Sequence, residues 1–340
     1  MTAATAAAGT NIALVKYWGK RDEALNLPAT GSLSLTLDRL GTRTRVAFDG
    51  GDGGGDLLTL NGARADDQTT RRVSAFLDRV RARAGVDTRA TVVTDNSVPT
   101  ASGLASSASG FAALALAASR AAGLDLPPNE LSALARLGSG SAARSIFGGF
   151  VEMAPGTRAD GTDATAHPLA ANVQGPPGER PGGWEVRLVV AITAAGEKAI
   201  GSTAAMTHTA RTSPFYQAWI AGVDADLAAA RAAIDRRDLA ALGAVAERSA
   251  LRMHATALAA DPAIVYWNPA TLAAIARVRA LRDASPGTQA FFTIDAGPHV
   301  KVLCVAEDAD RVAAALAGVP GVLQTLVAAP GPGARIVEAA

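Results

Sequence analysis

Apolar and polar positions alternate with a period of two through much of the first hundred residues. SLSLTLD (32–38) and TRTRVAFD (42–49) switch at almost every step, and RATVVTDN (89–96) is similarly β-rich. NIALVKYW (11–18) is nearly continuous in apolar residues, so a fourth strand is expected there. Between TRTRVAFD and LLTLNG lies GGDGGGD (50–56), which reads as a hairpin-type glycine loop. The period then changes. QTTRRVSAFLDRVRARAG (68–85) has the spacing of an amphipathic helix, and FAALALAASRAAG (111–123) that of a second, with Phe111, Leu114 and Ala118 as its buried face. A third helix is expected over 129–137, capped by Asn129 after Pro127-Pro128.

QGPPGERPGG (174–183) has the composition of an exposed loop or a domain boundary. Beyond it WEVRLVVAIT (184–193) reads as a buried strand. Alanine-rich helices are expected over about 213–235, 238–258 and 269–283. The end runs strand (QAFFTID), strand (HVKVLCVA), helix (DADRVAAALAGV), strand (GVLQTLVAA). The order predicts an α+β chain in two domains, 1–182 and 183–340, the second ferredoxin-like.

Composition narrows the class. Across 340 residues, 32 Lys plus Arg face 31 Asp plus Glu, a net charge of +1 that speaks against a nucleic-acid or membrane-surface protein. No apolar run approaches the roughly 18 residues of a spanning helix. The start, MTAATAAAGTNIALVKYWGK, lacks the basic segment and cleavage site of a secretory leader. Cys304 is the single cysteine, and His167, His208, His254 and His299 lack metal-ligand spacing. A cytoplasmic protein is the expectation.

One stretch does not fit a plain linker. PTASGLASSASG (99–110) is uncharged, rich in glycine and serine, and opens straight into a helix. Small residues let backbone N–H groups approach an anion, the helix N-terminus adds partial positive charge, and serine hydroxyls suit phosphate or magnesium. Alone, Ser106 or Ser107 could equally be a structural cap; neither a Walker A nor a dinucleotide pattern is present. Three further stretches shift the balance. NIALVKYWGK places Lys16 in an apolar strand, where a buried ammonium needs a partner, and alternation puts Tyr17 on the opposite face. GSGSAARSIFGGF (138–150) carries the lone cation Arg144 among small residues. In FFTIDAGPHVK (291–301), Asp295 ends an apolar strand at a glycine-proline turn, where an acid can also be a turn former.

Together with NLPATGSLSLTL and TAAMTHTARTSPFY, and in this order, these motifs resemble the GHMP kinase superfamily and, within it, the diphosphomevalonate decarboxylases. The resemblance runs from about residue 11 to the last strand; KYWGK and GSGS-x-x-RS are its specific parts. It implies the GHMP kinase-like fold, a ribosomal protein S5 domain 2-like first domain with a ferredoxin-like second. It further implies ATP and Mg2+ as co-substrate and ion, 5-diphosphomevalonate as substrate, a homodimer, and no nucleic-acid or membrane partner. Asp295 matches the catalytic aspartate, Lys16 the lysine beside it, and Arg144 the arginine that holds the substrate carboxylate. Tyr17, Lys20, Ser139, Gly140 and Ser141 match positions around the diphosphate, and Ser202 and Met206 its far side. Pro99, Ser102, Gly103, Leu104, Ala105, Ser106, Ser107 and Lys198 match ATP contacts, with Ser106 and Ser107 also toward magnesium. Lys198 and Ser202, taken singly, read as solvated loop residues. His299, Ala143 and Gly201 depart from the usual asparagine, cysteine and serine. Decarboxylation of the 5-monophosphate, a plain kinase of the same fold such as a mevalonate 3-kinase, and a non-catalytic ATP sensor stay open beside the main expectation.

Overall fold

The computed structural model describes residues 3–51, 53–97, 106–169, 184–196, 198–284 and 287–339. The chain opens with β1 (Ala3–Val15), the short β2 (Lys20–Asp22) and β3 (Leu27–Pro28), and the long β4 (Ser32–Ala47). β5 (Leu57–Leu60) and β6 (Ala63–Arg64) lead to α1 (Asp67–Ala84), then β7 (Thr91–Asn96). α2 (Ser106–Ala121), α3 (Pro128–Gly138) and the single turn α4 (Ala142–Ser145) precede β8 (Phe150–Met153) and β9 (Ala166–Pro168). The second half runs β10 (Val186–Ile192), α5 (Ser202–Thr212), α6 (Tyr216–Asp235), α7 (Leu239–Leu258) and α8 (Pro269–Ala284). It closes with β11 (Ala290–Ile294), β12 (Val300–Val305), α9 (Ala309–Ala317), β13 (Gln324–Ala328) and β14 (Arg335–Ala339).

Two main sheets result. The first has the order β14-β1-β4-β7-β5-β6, with β8 and β9 branching from β4, and the second is antiparallel in the order β11-β12-β10-β13. With α8 and α9 packed against it, the second sheet has the ferredoxin-like arrangement that the element order predicted. The last strand β14 leaves that sheet and pairs antiparallel with β1, tying the C-terminal end to the first sheet.

Several local expectations need correction. The two alternating segments form one strand, β4, and its first six residues are buried on both faces. Leu33, Leu35 and Leu37 enter the core shared with α6 and α7, while Ser32 and Ser34 reach Arg144 of α4. The glycine loop is not a hairpin, because β7 lies between β4 and β5. β5 pairs with β7 in parallel, and parallel neighbours need a crossover, which α1 supplies. Its N-cap is Asp66, whose carboxylate accepts from the Thr69 amide, and its C-cap is Gly85 in the left-handed conformation. α3 begins one residue earlier than expected, its cap is Pro127 rather than Asn129, and Pro128 sits in the first turn, where a missing N–H costs nothing. α2 is buried over most of its circumference rather than on one face, since it packs on β1 and β4 and is covered by α1, α3 and α4. TAAMTHTART, given no helix by periodicity, is most of α5. The stretch 174–183 lies outside the described residues.

Candidate active site

Lys16 from the first half of the molecule and Asp295 from the second meet in a shared cleft. β1 ends at Val15, so Lys16 lies just past the strand and its backbone N–H donates to Ser249 Oγ of α7 at 3.0 Å. α7 packs against both β1 and β11, which sets the ends of those two strands side by side. Asp295 follows the last residue of β11, and Thr293 Oγ1 donates to the Ala13 carbonyl at 3.3 Å, a direct link between the halves. Lys16 Nζ lies 2.6 Å from Asp295 Oδ1 and donates also to the Ala13 carbonyl at 2.7 Å. The lysine is 1% exposed and the carboxylate 30%, open toward the cleft. Lys301 Nζ, from β12, stands 3.3 Å from the other oxygen, Oδ2.

Burial pulls the Lys16 ammonium down to about 8, with Lys301 and Arg144 adding to the effect and Asp295 opposing it. Burial alone would raise the Asp295 carboxyl. The charges and hydrogen bonds of Lys16 and Lys301 outweigh that and hold it well below the usual carboxylate range. The aspartate is therefore ionised at neutral pH.

Arg144 sits on α4 and is 2% exposed. Its guanidinium donates to Ser32 Oγ at 2.6 Å, Ser34 Oγ at 2.9 Å and Asn11 Oδ1 at 3.1 Å. The Asn11 amide is fixed in turn by the Ser141 carbonyl at 2.9 Å and Ser145 Oγ at 2.8 Å. No carboxylate is ion-paired with Arg144 among the described residues, although it lines the cleft. Burial lowers it to about 10, with Tyr17 and Asp295 opposing, so it remains a cation. A buried guanidinium held by neutral acceptors and facing an open cavity is a receptor for an anionic group, and its fork suits a carboxylate.

The far end is built around Tyr17. Its hydroxyl is buried without a hydrogen-bond partner among the described residues, and burial raises its pKa. The ring lies on Gly140, where an added Cβ would stand 2.2 Å from the phenolic oxygen. Tyr17 thus shares the cleft with Lys16 rather than facing away, because the strand has already ended and alternation no longer applies. Gly19, at φ +112°, turns the chain back so that Lys20 Nζ reaches Asn26 Oδ1 at 2.6 Å and Thr203 Oγ1 at 3.2 Å. Ser139 and Ser141 face each other at 3.3 Å between their hydroxyls, and Met206 is buried at the wall. Lys198 and Ser202 are not solvated loop residues. Lys198 Nζ donates to Ser202 Oγ at 2.7 Å, at the first residue of α5, and to the Ala296 carbonyl at 2.9 Å. Burial and the neighbouring Lys301 lower the Lys198 ammonium. His299 Nδ1 accepts the Thr193 backbone N–H at 3.1 Å, joining β12 to the end of β10.

On the third side Ser106 opens α2, and Ser107 lines the cleft, its hydroxyl 3.4 Å from that of Ser139. Pro99, Ser102, Gly103, Leu104 and Ala105 lie outside the described residues. Arg72 and Arg79 of α1, which sequence reasoning missed, line the same wall. Arg72 stacks 4.6 Å from the Phe111 ring centroid and donates to the Gly138 carbonyl at 2.9 Å. Among the described residues no group of three His, Cys, Asp or Glu side chains could hold a metal ion. The Ser107 hydroxyl oxygen is the hard donor that fits Mg2+, an ion bound largely through substrate phosphates.

The cleft measures about 1430 Å³, above the roughly 300–1,000 Å³ of a single-ligand site, so two ligands fit. Lys16, Lys20, Lys198, Lys301, Arg72, Arg79, Arg144 and Arg211 line it, against Glu23 and Asp295. A chain of net charge +1 has collected a large positive surplus in one cavity. Such a cavity takes polyanions, and it holds one ionised carboxylate and one carboxylate receptor at its centre.

Comparison with known proteins identifies the family. The profile of the diphosphomevalonate decarboxylase-like N-terminal domain matches residues 8–166, and that of the mevalonate 5-diphosphate decarboxylase C-terminal domain matches 188–325. The diphosphomevalonate decarboxylase of Aspergillus fumigatus is 36% identical over 333 residues, covering 94% of this chain and 80% of its own. The human enzyme is 35% identical over 338 residues, covering 94% and 81%. The mevalonate diphosphate decarboxylase structure from Staphylococcus aureus superposes with a TM-score of 0.90 at 38% identity, covering 99% of this chain and 98% of the other. A structure of MDDEF in complex with MVAPP, AMPPCP and magnesium gives 0.90 at 41% identity, with 99% of both chains covered. No helix among the described residues is long and apolar enough to cross a membrane.

Proposed function

The chain belongs to the diphosphomevalonate decarboxylase family of the GHMP kinase superfamily, and from that premise we infer how its own residues perform the reaction. It is an ATP-dependent enzyme that converts 5-diphosphomevalonate to isopentenyl diphosphate, ADP, phosphate and CO2, with Mg2+ accompanying ATP. The observation that carries the residue assignment is the meeting in one cleft of an ionised Asp295 and a buried Arg144 that has no carboxylate of its own among the described residues.

The diphosphate lies among Tyr17, Lys20, Ser139, Gly140 and Ser141, with Ser202 and Met206 on its far side. The unpartnered Tyr17 hydroxyl donates to a phosphate oxygen there. Arg144 takes the C1 carboxylate on its fork. The tertiary 3-hydroxyl then faces Asp295, which accepts its hydrogen bond and takes its proton as the oxygen attacks the γ-phosphorus. Lys16 keeps that carboxylate ionised and offsets charge developing in the transfer. Ser106, Ser107 and Lys198 hold the ATP phosphates. Mg2+, when bound with ATP, would neutralise phosphate charge, and the Ser107 hydroxyl, together with Ser106 that opens α2, would be placed to hold it. After transfer the 3-phosphate departs with its electron pair, and the C1–C2 electrons form the alkene as CO2 leaves. Arg144 orients the carboxylate for that departure.

We further assign residues 1–182 and 183–340 to two domains, place the enzyme in the cytoplasm and expect a homodimer. Light scattering at twice the chain mass tests the last. The catalytic reading is tested by ADP release from mevalonate, its 5-phosphate and its 5-diphosphate in turn. Preference for the 5-diphosphate by about tenfold or more in kcat/KM supports it; equal use of the 5-phosphate contradicts the diphosphate subsite.

A further inference from the structure

We propose that Lys301 is a positioning residue for phosphoryl transfer, holding the oxygen of Asp295 that Lys16 leaves free and so fixing the carboxylate toward the reacting hydroxyl. The inference rests on the reading of Asp295 above. Lys301 enters from β12, paired opposite Thr293 of β11 one residue pair from the strand end, and is 3% exposed. Its Nζ is 3.3 Å from Oδ2, while Lys16 approaches Oδ1 from the end of β1 in the other half of the molecule. Among the described residues Asp295 is its only ion-pair partner.

A carboxylate gripped at both oxygens from two directions cannot turn freely about its Cβ–Cγ bond, and reactions of this kind depend on such orientation. Stability alone is a weak reason for the arrangement. A buried lysine loses hydration, and an apolar residue of similar length would serve a strand as well or better. The ionisable and charged groups around the pair are Lys16 past β1, Arg144 of α4, Lys198 before α5 and His254 of α7, with His299, just before β12, lining the same cleft. Two ammonium groups against one carboxylate leave a positive excess beside the path of the transferring phosphoryl group.

The test uses Lys301→Met and Lys301→Arg in the full-length enzyme, with kcat, both KM values and the kcat/KM pH profile. Lys301→Met should lower kcat by about tenfold or more and leave both KM values within about threefold. Its alkaline limb should move to higher pH, because Lys16 loses a like charge. Lys301→Arg should recover most of kcat and return the limb. Unchanged kcat, a fall in kcat with an unmoved limb, or an arginine variant no better than methionine would overturn the proposal. If Lys301→Met shows no cooperative melting, Lys301→Gln carries the same readouts. Asp295→Asn separates the two ideas. An inactive asparagine variant beside a normal Lys301→Met sinks this inference alone, and an active asparagine variant sinks the reading of the site as well.

Discussion

The site turns on a few side chains whose burial gives them unusual tasks. Arg144 is charged and buried, yet its partners are two serines and an asparagine. Replacing it by lysine keeps the charge but loses the fork. Charge-assisted hydrogen bonds are worth about 1.5–3 kcal/mol each, so kcat/KM for the 5-diphosphate should fall roughly ten- to a hundredfold. Steady-state kinetics with a melting control checks this; an unchanged value removes Arg144 from its role. Lys16 supplies a pH dependence. Its ammonium is lowered to about 8 and must stay protonated to pair with Asp295, so activity is full below that value and declines as pH rises through it. A kcat/KM profile flat to pH 10 would contradict the pairing. Asp295, held well below the usual range, should contribute no acidic limb at moderate pH. At this scale the sequence was legible where a charge stood out among small or apolar residues, as Lys16, Arg144 and Asp295 do. Lys301, Ser32, Ser34 and Asn11 did not stand out. Each occupies a polar slot in a strand, and alternation alone assigns such slots to solvent.

Among the elements, α4 and its approach show how little backbone the site requires. Gly138, Ser139, Gly140 and Ser141 are small because Phe111 and Tyr17 lie directly on the two glycines. Gly140→Ala would place a methyl 2.2 Å from the Tyr17 oxygen and 2.5 Å from Cζ, so the ring must shift away from the diphosphate subsite. Overpacking of this kind costs about 1–3 kcal/mol. KM for the 5-diphosphate should rise by about tenfold while KM for ATP changes little, which parallel titrations of the two substrates would measure. Equal KM values in the variant and the parent would show that Tyr17 does not touch the substrate. Strands and long helices were readable from periodicity because each buries a continuous stripe. The placement of β7 between β4 and β5 was not, since it depends on a parallel pairing across α1 that no local signal encodes. α5 was missed for a different reason. Its buried apolar residues are only Ala205 and Met206, two adjacent positions that make no helical stripe.

For the whole molecule, the shared core of the first sheet with α6 and α7 brings the two halves together, and α7 aligns the strand ends that carry Lys16 and Asp295. The two halves thereby make one site, and loss of either charge should disable the same step. Asp295→Asn should fold normally and lose about a hundredfold or more in turnover. Lys16→Met should lose a similar amount, and the double variant little more than either, because the two act as one unit. Losses that simply add would mean that the residues work separately. The central claim is that a single cleft couples phosphorylation to decarboxylation, and the ratio of CO2 to ADP measures that coupling. With ATP, magnesium and the 5-diphosphate, the enzyme should release the two in equal amounts, and Asp295→Asn should lose both together. ADP formed without CO2 would identify a kinase and contradict the account.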